Sequence, residues 1–184
     1  MHGVWRWLCA CVLAWTLVTQ AAIPEVKVTH FPNMAAQIQY FEDSSVVIWH
    51  DAVDGIVYRS ADEGKSWAPI KGPEQGQAHL FVLHPYDKTQ AYILTRSTQH
   101  WRTSNRGETW QSFSTPHPPT TLKAMPLDFH PTHHDWILFT GQACTVNLFR
   151  KVCHDVAYYT TDGFISDAHL LVAVSYTHLR APQT

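Results

Sequence analysis

The fold is decided by the stretch Ser60-Ala61-Asp62-Glu63-Gly64-Lys65-Ser66-Trp67, because it returns along the chain as Thr103-Ser104-Asn105-Arg106-Gly107-Glu108-Thr109-Trp110. The shared pattern is Ser/Thr-x-Asp/Asn-x-Gly-x-x-Trp. An Asp or Asn side chain at this place accepts hydrogen bonds from backbone amides and Gly adopts a positive φ, so the pattern predicts a hairpin turn. The Trp then begins the next strand and packs beneath the turn. The residues assigned to the two turns are Ser60, Asp62, Gly64, Trp67, Thr103, Asn105, Gly107 and Trp110.

A third copy of the pattern is incomplete. Thr160 and Asp162 stand at the first two key positions, whereas Asp167 occupies the place of the Trp. This copy follows the second at a longer spacing, and the extra residues are assigned to a loop that holds Cys144 and Cys153. Thr160 and Asp162 are therefore predicted to begin a third turn that is not completed.

Short apolar runs around the turns predict three sets of strands. They cover residues 37–41, 46–49, 56–60 and 67–70, then 79–83, 91–95, 100–103 and 110–113, and finally 127–130, 136–140 and 156–160, where the third set stops. His84-Pro85 and His130-Pro131 mark the same turn in successive sets. Four strands in a repeat of about 43 residues are typical of a β-propeller blade. The sequence therefore predicts an all-β fold with about three propeller blades.

The composition limits the class of protein. Of 184 residues, 45% are hydrophobic and 15% are charged, so the chain can bury a core and is not intrinsically disordered over most of its length. The formal net charge is -2 at pH 7, which leaves no basic excess to neutralise a run of phosphates. The composition thus argues against a nucleic-acid partner.

The two ends of the chain differ from the middle. Residues 7–18 form an uncharged, largely apolar run that is shorter than the roughly 20 residues a bilayer span requires. Small residues follow this run, so residues 1–21 are predicted to be a secretory signal peptide, with an N-terminal signal anchor as the alternative. Residues 22–168 are assigned to the blades. Residues 169–184 match neither their strand pattern nor their composition and are interpreted as a non-native tail translated from a sequencing adapter.

Removal of the signal peptide would leave Cys144 and Cys153 as the only cysteines. An oxidising lumen favours a disulfide between them. A metal site that includes the neighbouring His154 is the alternative, but the spacing is not that of a zinc finger.

Histidines raise a second question about metals. His130, His133 and His134 cluster beside Asp135, and such residue types can bind a metal ion. The His-Pro pair already has a role in a turn between strands, so a solvated turn is favoured and no metal site is predicted. A further hypothesis is that histidines near a ligand surface are protonated as the lumen acidifies and weaken ligand binding.

The repeated turn is the Asp-box, which occurs in sialidases, in some plant-polysaccharide hydrolases and in the luminal domains of sorting receptors. The chain resembles the fungal vacuolar protein sorting receptors of the sortilin family. The resemblance is carried by residues 40–49, by residues 129–141 and by the stretch from Cys144 to Asp162.

This resemblance implies a ten-bladed luminal propeller, a cysteine-rich module, a transmembrane helix and a cytosolic tail in the complete protein. It also implies a receptor that binds soluble vacuolar hydrolases such as carboxypeptidase Y in the late Golgi. The receptor would release them in a prevacuolar endosome and then recycle. No catalytic residue and no cofactor are predicted, and the sequence singles out no cargo-binding residue.

A secreted Asp-box glycoside hydrolase is the alternative function. Such enzymes use an arginine cluster with Tyr and carboxylates, or two carboxylates that flank the glycosidic bond. Arg59 and Arg102 precede the turns at equivalent repeat positions, which favours a structural role for both.

Overall fold

The strands follow one another in chain order and form three antiparallel sheets of four strands each. Sheet 1 contains β1 (Ile38–Tyr40), β2 (Val47–Asp51), β3 (Ile56–Ser60) and β4 (Ala68–Pro69). Sheet 2 contains β5 (Leu80–Leu83), β6 (Ala91–Leu94), β7 (Gln99–Thr103) and β8 (Gln111–Ser114). Sheet 3 contains β9 (Leu127–Phe129), β10 (Ile137–Asn147), β11 (Arg150–Thr160) and β12 (His169–Ala173).

The computed structural model describes residues 26–35, 37–148 and 150–173. The predicted signal peptide, residues 1–21, lies outside the described residues, as do residues 174–184 of the interpreted tail. None of the described residues belongs to a helix that is long and apolar enough to cross a membrane.

The structure confirms the predicted all-β class and the sets of four strands, because each predicted strand has a counterpart within a few residues. Two expectations for the third set are wrong. The set does not stop at Thr160, since β12 pairs with β11 through contacts such as Tyr159 with His169. The residues around Cys144 and Cys153 are not a loop but the long antiparallel hairpin of β10 and β11. Both β12 and the extension of the hairpin are held by backbone hydrogen bonds, which do not require a particular sequence pattern.

Sheet 2 lies between the other two sheets and is buried on both faces. All four residues of β6 are buried. Ala91 and Ile93 belong to the apolar cluster shared with sheet 1, whereas Tyr92 and Leu94 belong to the cluster shared with sheet 3. Successive strand residues point to opposite faces of a sheet, so this run has to be apolar throughout.

The face of sheet 3 that points away from sheet 2 is open. Leu138 and Tyr159 remain substantially exposed there. Their strand neighbours Phe139 and Tyr158 point the other way and belong to the cluster shared with sheet 2. Sheet 3 thus carries an apolar face on each side, and only one of them is covered by the described residues.

Candidate functional site

The first Asp-box turn is built by hydrogen bonds from its own polar side chains. The Ser60 hydroxyl donates to Asp62 Oδ1 at 2.7 Å and accepts the backbone N–H of Gly64 at 2.8 Å. Asp62 also accepts the backbone N–H and the hydroxyl of Ser66, at 2.8 and 2.6 Å. The Trp67 indole N–H donates to the Gly64 carbonyl at 2.9 Å, which holds the ring against the turn. All the polar groups of the pattern are therefore used within the turn.

The second turn repeats the Ser/Thr and Asp/Asn bonds of the first with different residue types, whereas the buried Trp110 indole N–H has no hydrogen-bond partner among the described residues. The Thr103 hydroxyl donates to Asn105 Oδ1 at 2.8 Å and accepts the Gly107 N–H at 3.0 Å. Asn105 Oδ1 also accepts the Thr109 N–H at 3.0 Å. Gly107 has a φ of 73°, and a Cβ at this position would lie 3.4 Å from the Trp110 ring. The left-handed backbone favours glycine here, and an added Cβ would come into van der Waals contact with the Trp ring.

The third turn forms although its pattern is incomplete. Thr160 and Asp162 make the same bonds, at 2.8 Å to each other, and the Ser166 hydroxyl donates to Asp162 at 2.6 Å. Phe164 stands at the glycine position with a φ of 66°. Its buried ring stacks on Phe113 with 4.8 Å between ring centroids. An aromatic residue at the glycine position thus packs against the core in the copy that has no Trp.

The two Asp side chains of the turns are strong acceptors. Hydrogen bonds from the Ser66 and Ser60 hydroxyls hold the pKa of Asp62 far below its usual value. The hydrogen bond from Ser166 and weaker contributions lower the pKa of Asp162 to about 2. Both carboxylates are ionised at any physiological pH, so they accept hydrogen bonds and have no proton to donate in catalysis.

An arginine ahead of each complete turn reaches the turn of the next sheet. Arg59 Nε donates to the Arg106 carbonyl at 3.0 Å, and Arg102 Nη1 donates to the Gly163 carbonyl at 2.9 Å. Arg106 and Gly163 occupy the same position in their turns, so one contact is repeated between sheets 1 and 2 and between sheets 2 and 3. Tyr159 stands at the corresponding place in sheet 3. The arginines join neighbouring sheets and are not grouped around a common cleft.

We expect the Arg102→Met substitution to lower the free energy of unfolding by about 1 to 2 kcal/mol, because the Gly163 carbonyl loses a charged donor. Arg96→Met is the matched control and should change stability by less than about 0.5 kcal/mol, since Arg96 is exposed. Urea unfolding of both variants measures the difference. Equal effects would show that the contact between sheets 2 and 3 contributes nothing specific.

The His-Pro turns use their imidazoles as backbone acceptors. His84 Nδ1 accepts the N–H groups of Tyr86 and Asp87 at 3.1 and 2.9 Å. His130 Nδ1 accepts the N–H of His133 at 3.1 Å. The cluster suggested by the sequence therefore builds a turn, and the described residues contain no group of three His, Cys, Asp or Glu side chains placed to hold a metal ion.

The structure joins Cys144 and Cys153 in a disulfide across directly opposite positions of β10 and β11. The bond lies outside the apolar clusters, in the part of the hairpin that projects from sheet 3. It closes a short loop, and such a bond contributes roughly 2 to 3 kcal/mol by restricting the open chain. Its stabilisation therefore acts on the hairpin and not on the packing between sheets.

We expect the double substitution Cys144→Ser and Cys153→Ser to make the hairpin sensitive to trypsin at Arg150 and Lys151. Local opening of a projecting hairpin precedes global unfolding, so the cleavage rate should rise by about tenfold or more while the unfolding midpoint shifts little. Cleavage after Lys71, in the connection between sheets 1 and 2, is the internal control and should not change. A large loss of global stability would contradict this local role.

Two open clefts could receive a ligand. The first, of about 440 Å³, lies between sheets 1 and 2 and contains Arg96, whose Nε donates to His79 Nδ1 at 3.3 Å. None of its described lining residues carries a carboxylate. The second, of about 630 Å³, lies on the open face of sheet 3 and contains Asp128, which pairs with Lys123. Neither cleft offers the two carboxylates that glycoside hydrolysis uses.

The sequence pattern identifies the Asp-box residues and the cysteines. It does not identify Arg106, Gly163 and Phe164, which make contacts between neighbouring sheets. The acceptors of Arg59 and Arg102 lie in the next repeat, so no local pattern names them. Phe164 does not fit the pattern, because it stands at the glycine position and not at the position of the Trp. The repeated aromatic-basic pair before each complete turn, Tyr58-Arg59 and Trp101-Arg102, was the visible signal.

Comparison with known proteins gives consistent results. Vacuolar protein sorting/targeting protein 10 of Mycosarcoma maydis is 50% identical over 153 residues, which cover 81% of this chain and 10% of that protein. The protein of the same name from Laccaria bicolor is 41% identical over 152 residues, 82% of this chain and 10% of that protein. The chain therefore spans about a tenth of the length of these relatives.

Among solved structures, the GH74 xyloglucanase from Xanthomonas campestris matches with a TM-score of 0.47 and 14% identity, over 72% of this chain and 19% of that chain. The family model Sortilin-Vps10, described as sortilin, neurotensin receptor 3, matches residues 55–181. This match covers well over half of the chain and confirms the resemblance found in the sequence. The chain belongs to the Sortilin-Vps10 family.

Proposed function

We propose that this chain is part of a vacuolar sorting receptor and acts by binding, without catalysis. The observation that carries the proposal is the similarity to fungal relatives that are named vacuolar protein sorting/targeting protein 10. The structure is compatible with a binding role, because the Ser/Thr and Asp/Asn side chains of the Asp-boxes form hydrogen bonds within their turns, and Arg59 and Arg102 form hydrogen bonds between sheets. In this proposal the partners are soluble vacuolar hydrolases such as carboxypeptidase Y.

The proposed route begins in the late Golgi, where the receptor binds its cargo, and ends in a prevacuolar endosome, where it releases the cargo and recycles. Residues 1–21 would direct the chain into the secretory pathway as a signal peptide, and residues 22–168, together with β12 of sheet 3, would form N-terminal blades of a luminal propeller. A further blade would cover the open face of sheet 3, where Leu138 and Tyr159 are exposed. Membrane anchorage would come from another region of the complete protein.

Gene disruption tests the proposal. Cells that lack the gene should secrete a large share of their carboxypeptidase Y, and the complete gene should restore its delivery to the vacuole. Binding of purified carboxypeptidase Y precursor to the purified luminal protein is the direct measurement. Normal vacuolar delivery in the disrupted strain, together with release of sugars from xyloglucan or sialylated glycans by the purified protein, would instead support a secreted glycoside hydrolase.

A further inference from the structure

The hairpin of β10 and β11 projects beyond its sheet. β9 pairs only with residues Ile137 to Phe139 of β10, and β12 pairs with β11 from Val156 to Tyr159. Residues 143–147 and 150–154 lie beyond these pairings and form a two-stranded segment, which we call the ribbon. Two-stranded hairpins are marginally stable in water by themselves. The disulfide between Cys144 and Cys153 holds this one in shape, so the ribbon is ordered in advance of any contact with a partner.

The ribbon exposes apolar and basic side chains together. Val146 is 76% exposed and Leu148 at the end of the hairpin is 93% exposed. Arg150 and Lys151 are exposed beside them, and neither forms an ion pair with any described residue. Exposed aliphatic side chains next to unpaired cations are suited to a partner that offers both apolar and acidic groups.

The β10 edge of the ribbon also has free backbone groups. The N–H groups of Thr140 and Gln142 point away from β11, because they donate at 2.8 Å to the carbonyls of Pro126 and Pro118. Backbone groups alternate in direction along an antiparallel strand, so the N–H and C=O of Cys144 and Val146 point the same way. No described residue forms a hydrogen bond with these groups. They can therefore pair with an added strand.

We propose that the β10 edge of the ribbon docks an extended segment of a partner protein in which acidic and apolar residues alternate. The added strand would pair with the backbone of Cys144 and Val146, as in other cases of strand addition to a sheet edge. Lys151 lies directly opposite Val146, so these two side chains share one face of the ribbon and Arg150 points to the other face. The acidic side chains of the added strand would lie on the face of Arg150, and its apolar side chains would cover Val146 on the opposite face. The proposal does not depend on the sorting role, since the binding assay below uses no vacuolar cargo.

Two other occupants fit less well. A second copy of the ribbon would pair through the same β10 edge, but residues 143–154 contain no acidic residue to complement Arg150 and Lys151. Stable attachment to a membrane usually needs a polybasic patch together with an acyl chain or a larger apolar surface. The two cations and two aliphatic side chains of the ribbon fall short of that requirement.

The test uses a fluorescent peptide of four Asp-Val repeats and the purified protein expressed as the complete chain that its gene encodes. Val146→Pro removes one outward N–H and leaves the ladder between β10 and β11 intact, because that N–H takes no part in it. Val146→Thr keeps the N–H and is the matched control. Fluorescence anisotropy should show binding by the unmodified protein, a loss of about tenfold in Val146→Pro and a smaller loss in Val146→Thr. Unchanged resistance of the ribbon to trypsin checks that Val146→Pro keeps the hairpin.

Charge reversal provides an independent arm. The double substitution Arg150→Glu and Lys151→Glu should weaken binding of the Asp-Val peptide and favour a peptide of four Lys-Val repeats. The proposal is wrong if the unmodified protein does not bind the Asp-Val peptide at millimolar concentration, or if Val146→Pro binds as well as Val146→Thr. Binding to phosphatidylserine vesicles without peptide binding would assign the ribbon to a membrane and would also overturn it.

Discussion

Replacing Gly55 with alanine should lower the free energy of unfolding by about 3 kcal/mol or more. Gly55 ends the turn between β2 and β3 with a φ of +63°, where an L side chain is strained. A Cβ at this position would lie 2.7 to 2.8 Å from backbone atoms of Gly76. Backbone atoms cannot rotate out of the way as a flexible side chain can, so the strands attached to both glycines have to move.

Gly76→Ala is the matched control for this prediction. Its φ of +88° carries the same kind of strain, but the nearest atom to an added Cβ is the Asp54 carbonyl oxygen at 3.9 Å. The control should therefore cost only about 1 kcal/mol, which is the strain without the clash. Urea unfolding followed by tryptophan fluorescence compares the two variants. Similar losses of stability in the two variants would mean that the turn at Gly55 and the segment at Gly76 can move apart at little cost in free energy.

The close approach of these two glycines fixes the position of sheet 2 relative to sheet 1. The Ala78 N–H donates to the Gly55 carbonyl at 3.1 Å, directly ahead of β5. Gly55 and Gly76 also line the cleft that contains Arg96. Separation of the two segments would therefore widen this cleft, while the Asp-box at the opposite end of β3 would keep its local bonds.

The Asp-box turns were predictable because every bond within them joins residues only a few positions apart. Asp62 and Asn105 accept hydrogen bonds from amides four residues ahead, so their patterns appear in the sequence itself. The two wrong expectations have a different origin. β12 and the extension of β10 and β11 are held by backbone pairing and by a disulfide, which tolerate many side chains.

Contacts between sheets were the least predictable part of the molecule. The meeting of Gly55 with Gly76 depends on how two connections cross in space, and neither glycine lies in a recognisable motif. The arginine contacts are periodic, yet the sequence shows only the donors, since each acceptor is a backbone carbonyl that any residue supplies. The ribbon was hidden for a similar reason, because the free edge of β10 is a property of its backbone.

Acidification should destabilise the protein through His100, with a loss of about 3 kcal/mol when the ring becomes protonated in the folded chain. His100 is fully buried, with its ring centroid 5.3 Å from that of Phe113 and 5.9 Å from that of Phe139. Its Nδ1 accepts the Thr95 N–H at 3.2 Å, and its Nε2 lies 2.9 Å from the Thr115 hydroxyl. That hydroxyl already donates to the His117 carbonyl, so it accepts from Nε2–H and the neutral ring satisfies both bonds.

The sign of the effect follows from the two pKa values. Burial lowers the pKa of His100 in the folded protein from 6.5 to about 4. The unfolded chain therefore takes up the proton first, so the stability is fully present above about pH 6.5 and is lost as the pH falls toward about 4. Between about pH 7.5 and pH 5 the loss from this one residue should be about 2 kcal/mol.

His100→Asn removes the titrating group and should flatten the decline of stability between about pH 7.5 and pH 5 by about 2 kcal/mol. The variant will also be less stable at neutral pH because it loses buried ring contacts, so the pH dependence and not the absolute stability is the measurement. His30→Asn, at an exposed histidine, should keep the decline of the unmodified protein. An unchanged decline in His100→Asn would assign the effect to other buried histidines, such as His50 and His84, whose pKa values burial also lowers.

His100 packs against Phe113 of sheet 2 and Phe139 of sheet 3, so the expected result means that acid weakens the contact between these two sheets. The Asp-box turns should keep their hydrogen bonds under the same conditions, because their carboxylates stay ionised.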